Sequence, residues 1–146
     1  MTTRSSFIHR LLRDSRAASA IEFALLAPVF FALMFGVVSV GIYMQNYNAI
    51  RSLASDAARF AAVEYQKNNQ VSNTMLEANI AAMAVASPYN LNANLLSVAV
   101  NPVNPSRVDG ALEFDLDITY NLPDIVGGTS IDNITLSYSR PLFVLK

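Results

Sequence analysis

Glu113, Asp115 and Asp117 stand two residues apart in the run from Leu112 to Leu122. Carboxylates at that spacing on an extended segment share one face. A pair of them could act as general acid and base, or hold calcium. Calcium needs a loop that wraps oxygens around the ion, which a straight strand does not supply. A solvated outer face accounts for the same spacing, and it is the reading carried forward. His9 is the one imidazole and lies among arginines. A single His excludes sites built on two imidazoles, and the absence of Cys excludes a thiolate nucleophile, a Cys-ligated zinc and a disulfide framework. There is no G-x-S-x-G elbow, no S-x-x-K and no glycine-rich phosphate loop. Asn133-Ile134-Thr135 matches the glycosylation sequon, a pattern too short to carry weight. No enzyme activity, metal or cofactor is expected.

Glu22 is a different kind of candidate. It is the lone charge between Arg16 and Arg51, and Phe23 to Ile50 is a run of 28 residues with no formal charge. An ionisable residue at the margin of such a run is a functional candidate by default. The most apolar part, Phe23 to Met44, has 22 residues. As a helix it would rise roughly 33 Å, enough to cross a hydrocarbon core of about 30 Å. Pro28 should kink that helix. Gly36 and Gly41 are five apart and do not form the small-xxx-small dimer motif. The run is too long for a secretory signal peptide, and no small-residue cleavage site follows it. A buried core helix is disfavoured because soluble helices rarely run apolar on every face.

The elements beyond it follow from periodicity. Tyr47, Ile50, Leu53, Ala57, Phe60, Ala61 and Glu64 step by three and four, which continues the helix as an amphipathic one. Asp56 and Arg59 stand at i,i+3 and could pair. Lys67-Asn68-Asn69-Gln70 reads as a turn. Thr74 with Glu77 has capping-box spacing and opens a second helix over 74–86, ended by Ser87-Pro88. Leu96, Val98 and Val100 then alternate as a strand that Pro102 and Pro105 break. Leu112 to Leu122 alternates without a fault: six apolar residues against Glu113, Asp115, Asp117, Thr119 and Asn121. Gly127-Gly128 interrupts the chain. Ile134, Leu136 and Tyr138 make a third strand that Pro141 ends or marks as an edge. The expected fold is α+β. A long N-terminal transmembrane and amphipathic helix and a second short helix pack against a three-stranded antiparallel sheet.

Composition sharpens this. The chain has 146 residues, of which 53% are hydrophobic and 14% charged, with net charge −1. The balance hides two pieces. Arg4, Arg10, Arg13 and Arg16 against Asp14 make residues 1–16 +3, while six basic and ten acidic groups from Ala18 onward make the rest −4. No basic footprint for nucleic acid exists. Four arginines ahead of the span place the N-terminus in the cytoplasm by the positive-inside rule. They put the larger, C-terminal part on the other side of the membrane.

The stretch Arg16-Ala17-Ala18-Ser19-Ala20-Ile21-Glu22-Phe23-Ala24-Leu25-Leu26-Ala27-Pro28 resembles the N-terminal signature of the TadE-like family. These are minor pilins or pseudopilins of the tight-adherence (Flp) branch of type IV pili. Residues 49–62, AIRSLASDAARFAA, also resemble the helix that follows the span in that family. The resemblance implies a basic leader, 1–17, cut between Ala17 and Ala18 by a prepilin peptidase. It makes Glu22 the fifth mature residue, with Phe23 as the aromatic beside it, both serving processing and assembly. Such sites usually carry Gly where this chain has Ala17. The implied organisation is leader 1–17, transmembrane helix 18–44 and a pilin-like domain 45–146. Implied partners are the peptidase, other major and minor pilins, the inner-membrane assembly platform and the lipid bilayer. The implied location is the bacterial inner membrane, single pass with the C-terminal domain periplasmic, and after assembly the extracellular pilus. Two other readings stay open: an uncleaved single-pass protein whose periplasmic domain binds a secretion or pilus-machinery partner, and a membrane-anchored enzyme using Glu113, Asp115 and Asp117.

Overall fold

A computed structural model describes residues 15–67, 71–122 and 134–145, with side chains from residue 18 onward. Arg4, His9, Arg10, Arg13, the turn residues 68–70, Gly127-Gly128 and Asn133 of the sequon lie outside the described residues, as do the side chains of Arg16 and Ala17. Helix α1 is Ser15–Gln66, and it runs through Pro28. Helix α2 is Asn73–Val85. A short 3-10 turn, Ala93–Leu95, leads into strand β1, Leu96–Val103, followed by β2, Ala111–Asn121, and β3, Thr135–Leu145. The chain divides into two units, Met1–Gly41 and Ile42–Lys146.

In the first unit the helix is apolar and exposed: Phe23 is 71% exposed and Val37 74%. Its best eighteen-residue window has a mean hydropathy of 2.4, and none of it is buried. A helix of this length and hydropathy can cross a membrane. A side chain grown on Gly36 or Gly41 would meet nothing within 4 Å.

The second unit is the α+β domain. Its sheet is an antiparallel meander in the order β1-β2-β3. The expected stripe on α1 is buried where it matters, with Ile50, Leu53, Ala57 and Ala61 fully enclosed and Ala54 joining them. From α2 come Leu76, Ile80 and Ala84, and from the sheet Leu116, Ile118, Leu136 and Leu142, all in one hydrophobic cluster. On β2 the even positions Phe114 to Tyr120 face this core, as the alternation predicts.

Two expectations at the element ends need correction. The N-cap of α2 is Ser72, not Thr74: its hydroxyl accepts from the Met75 N–H at 3.3 Å. Ser72 is extended, with φ −64° and ψ 154°, so its oxygen can reach the free donors of the first turn. That places Glu77 beyond a capping box and frees its carboxylate, which instead accepts from the Val100 N–H at 2.8 Å. Strand β1 is an edge, and α2 packs along it, so Glu77 satisfies a backbone donor that no strand reaches.

The second correction concerns the prolines. β1 continues through Pro102, paired with Phe114. Alternate residues on a strand turn their N–H the same way. Val100 turns its N–H away from β2, toward Glu77, so the donor that Pro102 lacks is also one on the outer edge. β3 likewise runs through Pro141, paired with Asp115. The Leu122 N–H donates to the Ile134 carbonyl at 2.9 Å, so even residues of β3 bond inward and Pro141 faces the free edge. Proline at an edge costs no ladder bond.

Asp56 accepts a hydrogen bond from the Tyr89 hydroxyl rather than pairing with Arg59. This bond ties α1 to the segment after α2. Burial, the hydrogen bond to Asp56 and its charge together push the Tyr89 hydroxyl up to about 12. The unfolded chain ionises this group near 10, the ordinary Tyr value, so the stabilisation is intact below 10 and is lost as pH rises toward 12. Tyr89→Phe should therefore soften the alkaline fall in stability, read as the unfolding midpoint against pH.

Candidate functional site

Two groups of residues were singled out by the sequence, and they fall in different units. The first lies at the start of α1. Ala17 and Ala18 lie on the earliest described part of this helix. Glu22 follows one turn later and is exposed, as is Phe23 beside it. Ile21 and Leu25 flank them at 61% and 72% exposure. Glu22 thus sits on a helix whose neighbouring side chains are apolar and uncovered. No ion pair to Glu22 occurs among the described residues.

The second group is on β2. Glu113, Asp115 and Asp117 share the face of the sheet turned away from the helices, as their spacing requires. The solvated reading fails at Glu113, which is only 2% exposed. The connection from β1 to β2 folds back and lays Arg107 over it. The Arg107 backbone N–H donates to Glu113 Oε2 at 2.7 Å, and its guanidinium forms an ion pair with Glu113 Oε1. The same guanidinium reaches Asp115 Oδ1 at 3.2 Å. The side-chain hydrogen bond from Arg107 lowers the Glu113 pKa against the opposing effect of burial, helped by the Arg107 backbone and by Ser106.

This arrangement decides what Glu113 can do. Both of its oxygens accept hydrogen bonds, and the carboxyl is held ionised, so it is placed neither to donate nor to take a proton. The position a cation would occupy between Glu113 and Asp115 holds the guanidinium. Among the described residues no group of three His, Cys, Asp or Glu is arranged to hold a metal ion. Glu113 and Arg107 are instead a clasp on the β1–β2 connection.

The clasp has a pH dependence whose sign is fixed. The Glu113 pKa is depressed on folding, so its stabilisation is complete above the ordinary Glu value of 4.5 and drains away as pH falls through the lowered folded value. Glu113→Gln should lower stability at neutral pH and flatten the acid limb below about pH 4.5. Thermal unfolding across that range reads both effects.

Arg107 was not recognised in the sequence. Arg107 is six residues before Glu113, in a connection without periodicity. Glu77 carried a signal, its spacing from Thr74, that pointed to a different role.

Residues 17–59 match the family model described as TadE-like protein. No curated protein and no solved structure matches the chain. The matched segment begins at Ala17, includes Glu22 and the apolar run, and ends on the amphipathic part of α1. The matched segment is under a third of the chain, and the helix in it is long and apolar enough to cross a membrane. The strand domain lies outside it.

Proposed function

We propose that this chain, with a TadE-like segment over residues 17–59, is a minor pilin or pseudopilin of a tight-adherence type IV pilus. It is made as a precursor. Arg4, Arg10, Arg13 and Arg16 hold the leader on the cytoplasmic face, residues 18–44 cross the inner membrane, and residues 45–146 stand in the periplasm. Prepilin peptidase cuts between Ala17 and Ala18. The mature chain then joins major and minor pilins, through the assembly platform, in the initiation complex or tip of the filament.

The observation that carries this reading is Glu22 on an exposed apolar helix, within the matched segment. A carboxylate in hydrocarbon is costly unless paired. The amino group that cleavage creates at Ala18 supplies the opposite charge in a neighbouring subunit. Cleavage removes the +3 leader, which lowers the cost of drawing the helix out of the bilayer.

The mature N-terminus tests the proposal. Intact-mass analysis of the chain from cells with the peptidase should show loss of residues 1–17, and from cells without it the full chain. Ala17→Gly should raise the fraction cleaved. An N-terminus in the leader in both cells would favour the uncleaved single-pass protein instead.

A further inference from the structure

Ser55 is on an exposed flank of α1, with Arg51 one turn before it and Arg59 one turn after, and both arginines are exposed. Arg140, from β3, donates to Ser55 Oγ at 2.8 Å. The fold therefore brings a third guanidinium, 85 positions away in sequence, onto a helix flank that already carries two. None of the three forms an ion pair among the described residues. Like charges gathered this way repel, and an acidic surface would offset that repulsion.

The same unit carries such a surface on another face. Asp117 lies on the outer face of β2, between Ala99 on β1 and Ser139 on β3. Asp117 is half-buried there and forms no ion pair among the described residues. Asp115, two residues away, lies between Asn101 and Pro141, holds Arg107 through Oδ1 and keeps 41% of its side chain exposed. The basic flank belongs to the helix side of the sheet and the acidic row to the opposite side, so one copy cannot join them within itself.

We propose that they join between copies: Arg51, Arg59 and Arg140 of one chain meet Asp117 and Asp115 of the next. A contact between two different patches of the same molecule is heterologous, and it propagates as a ring or an open filament instead of closing as a dimer. Membrane lipid is the competing occupant. Arg59, however, lies fifteen residues beyond Met44, roughly 22 Å of helical rise, past the headgroup layer for a helix along the bilayer normal. A protein surface can engage all three arginines. The proposal deepens the reading of the chain as a filament subunit but uses nothing from the leader or Glu22.

The chain has no Cys, so introduced cysteines report without background. Full-length chains carrying Arg59→Cys and Asp117→Cys, co-expressed in membranes and oxidised, should form a disulfide between copies. A chain carrying both should give a ladder of multimers. Arg51→Glu with Arg140→Glu should cut the yield roughly tenfold, and high salt should weaken it. Cross-linking no greater than with Ala82→Cys, or unchanged by charge reversal, overturns the proposal. So does protection of Arg59→Cys from a thiol reagent by anionic but not neutral lipid when no cross-link forms, which would assign the patch to lipid headgroups. Cross-linking in a chain that is never cleaved would leave this contact standing while removing the proposed processing.

Discussion

Glu22→Ala is expected to abolish incorporation into the filament while leaving membrane insertion and the α+β domain intact. Insertion depends on the apolar run from Phe23 to Met44, and alanine at position 22 makes that run longer. The domain is built from residues 42–146, in the other unit. On the proposed function, the substitution removes the partner for the amino terminus of a neighbouring mature chain. An uncompensated charge in an apolar filament core carries a penalty of several kcal/mol, and each 1.4 kcal/mol is about tenfold in an equilibrium. The expected loss is therefore roughly a hundredfold or more in filament-associated chain. Fractionation of sheared pili from membranes, probed for this chain, measures it. Glu22→Gln distinguishes charge from polarity and should fail as well. Normal incorporation of either variant would defeat the pairing argument.

Leu116→Ala should be the most damaging single truncation in the domain. Leu116 is fully buried on the central strand, paired with Val100 on one side and Arg140 on the other. Its side chain belongs to the cluster that unites both helices with the sheet. Removing a buried leucine side chain costs about 2–5 kcal/mol, from lost burial plus the cavity left behind. A domain of this size has a total stability of roughly 5–15 kcal/mol, so the variant approaches unfolding. Denaturant unfolding of the full chain in detergent, followed by near-ultraviolet tyrosine signals, reads the change. Ser137→Ala, exposed on β3, should stay within about 0.5 kcal/mol of the parent.

How much of this could be read from sequence depended on whether a residue's role was local. The alternation from Leu112 to Leu122 specified β2 and its faces, because each position is set by its neighbours. The stripe on α1 was legible for the same reason. Glu113 was misread because its burial is produced by Arg107 folding back from the connection, and no period announces a connection. Glu77 was misread because a carboxylate three residues after Thr74 fits two roles, and its partner, the Val100 N–H, is in another element. Arg140 beside Ser55 is invisible to any local rule. At the N-terminal site, the motif around Glu22 was visible in sequence and falls in the matched segment. What Ala17, Ala18 and Glu22 do there rests on the proposed experiments.

The two outer margins of the sheet share a defence against pairing with a neighbour's strand. Pro102 and Pro141 each remove a donor from an outward-facing backbone row, and Glu77 occupies the donor at Val100. A strand from a neighbour would find missing or occupied donors on either side. Copies at high local density are therefore discouraged from fusing their sheets into continuous ribbons, the route by which exposed strands aggregate. Neighbours are left to meet through side chains, whose contacts can be remade one at a time. On the proposed function, a subunit waiting in a bilayer to join a filament in one orientation gains selectivity from sheet margins that resist being extended.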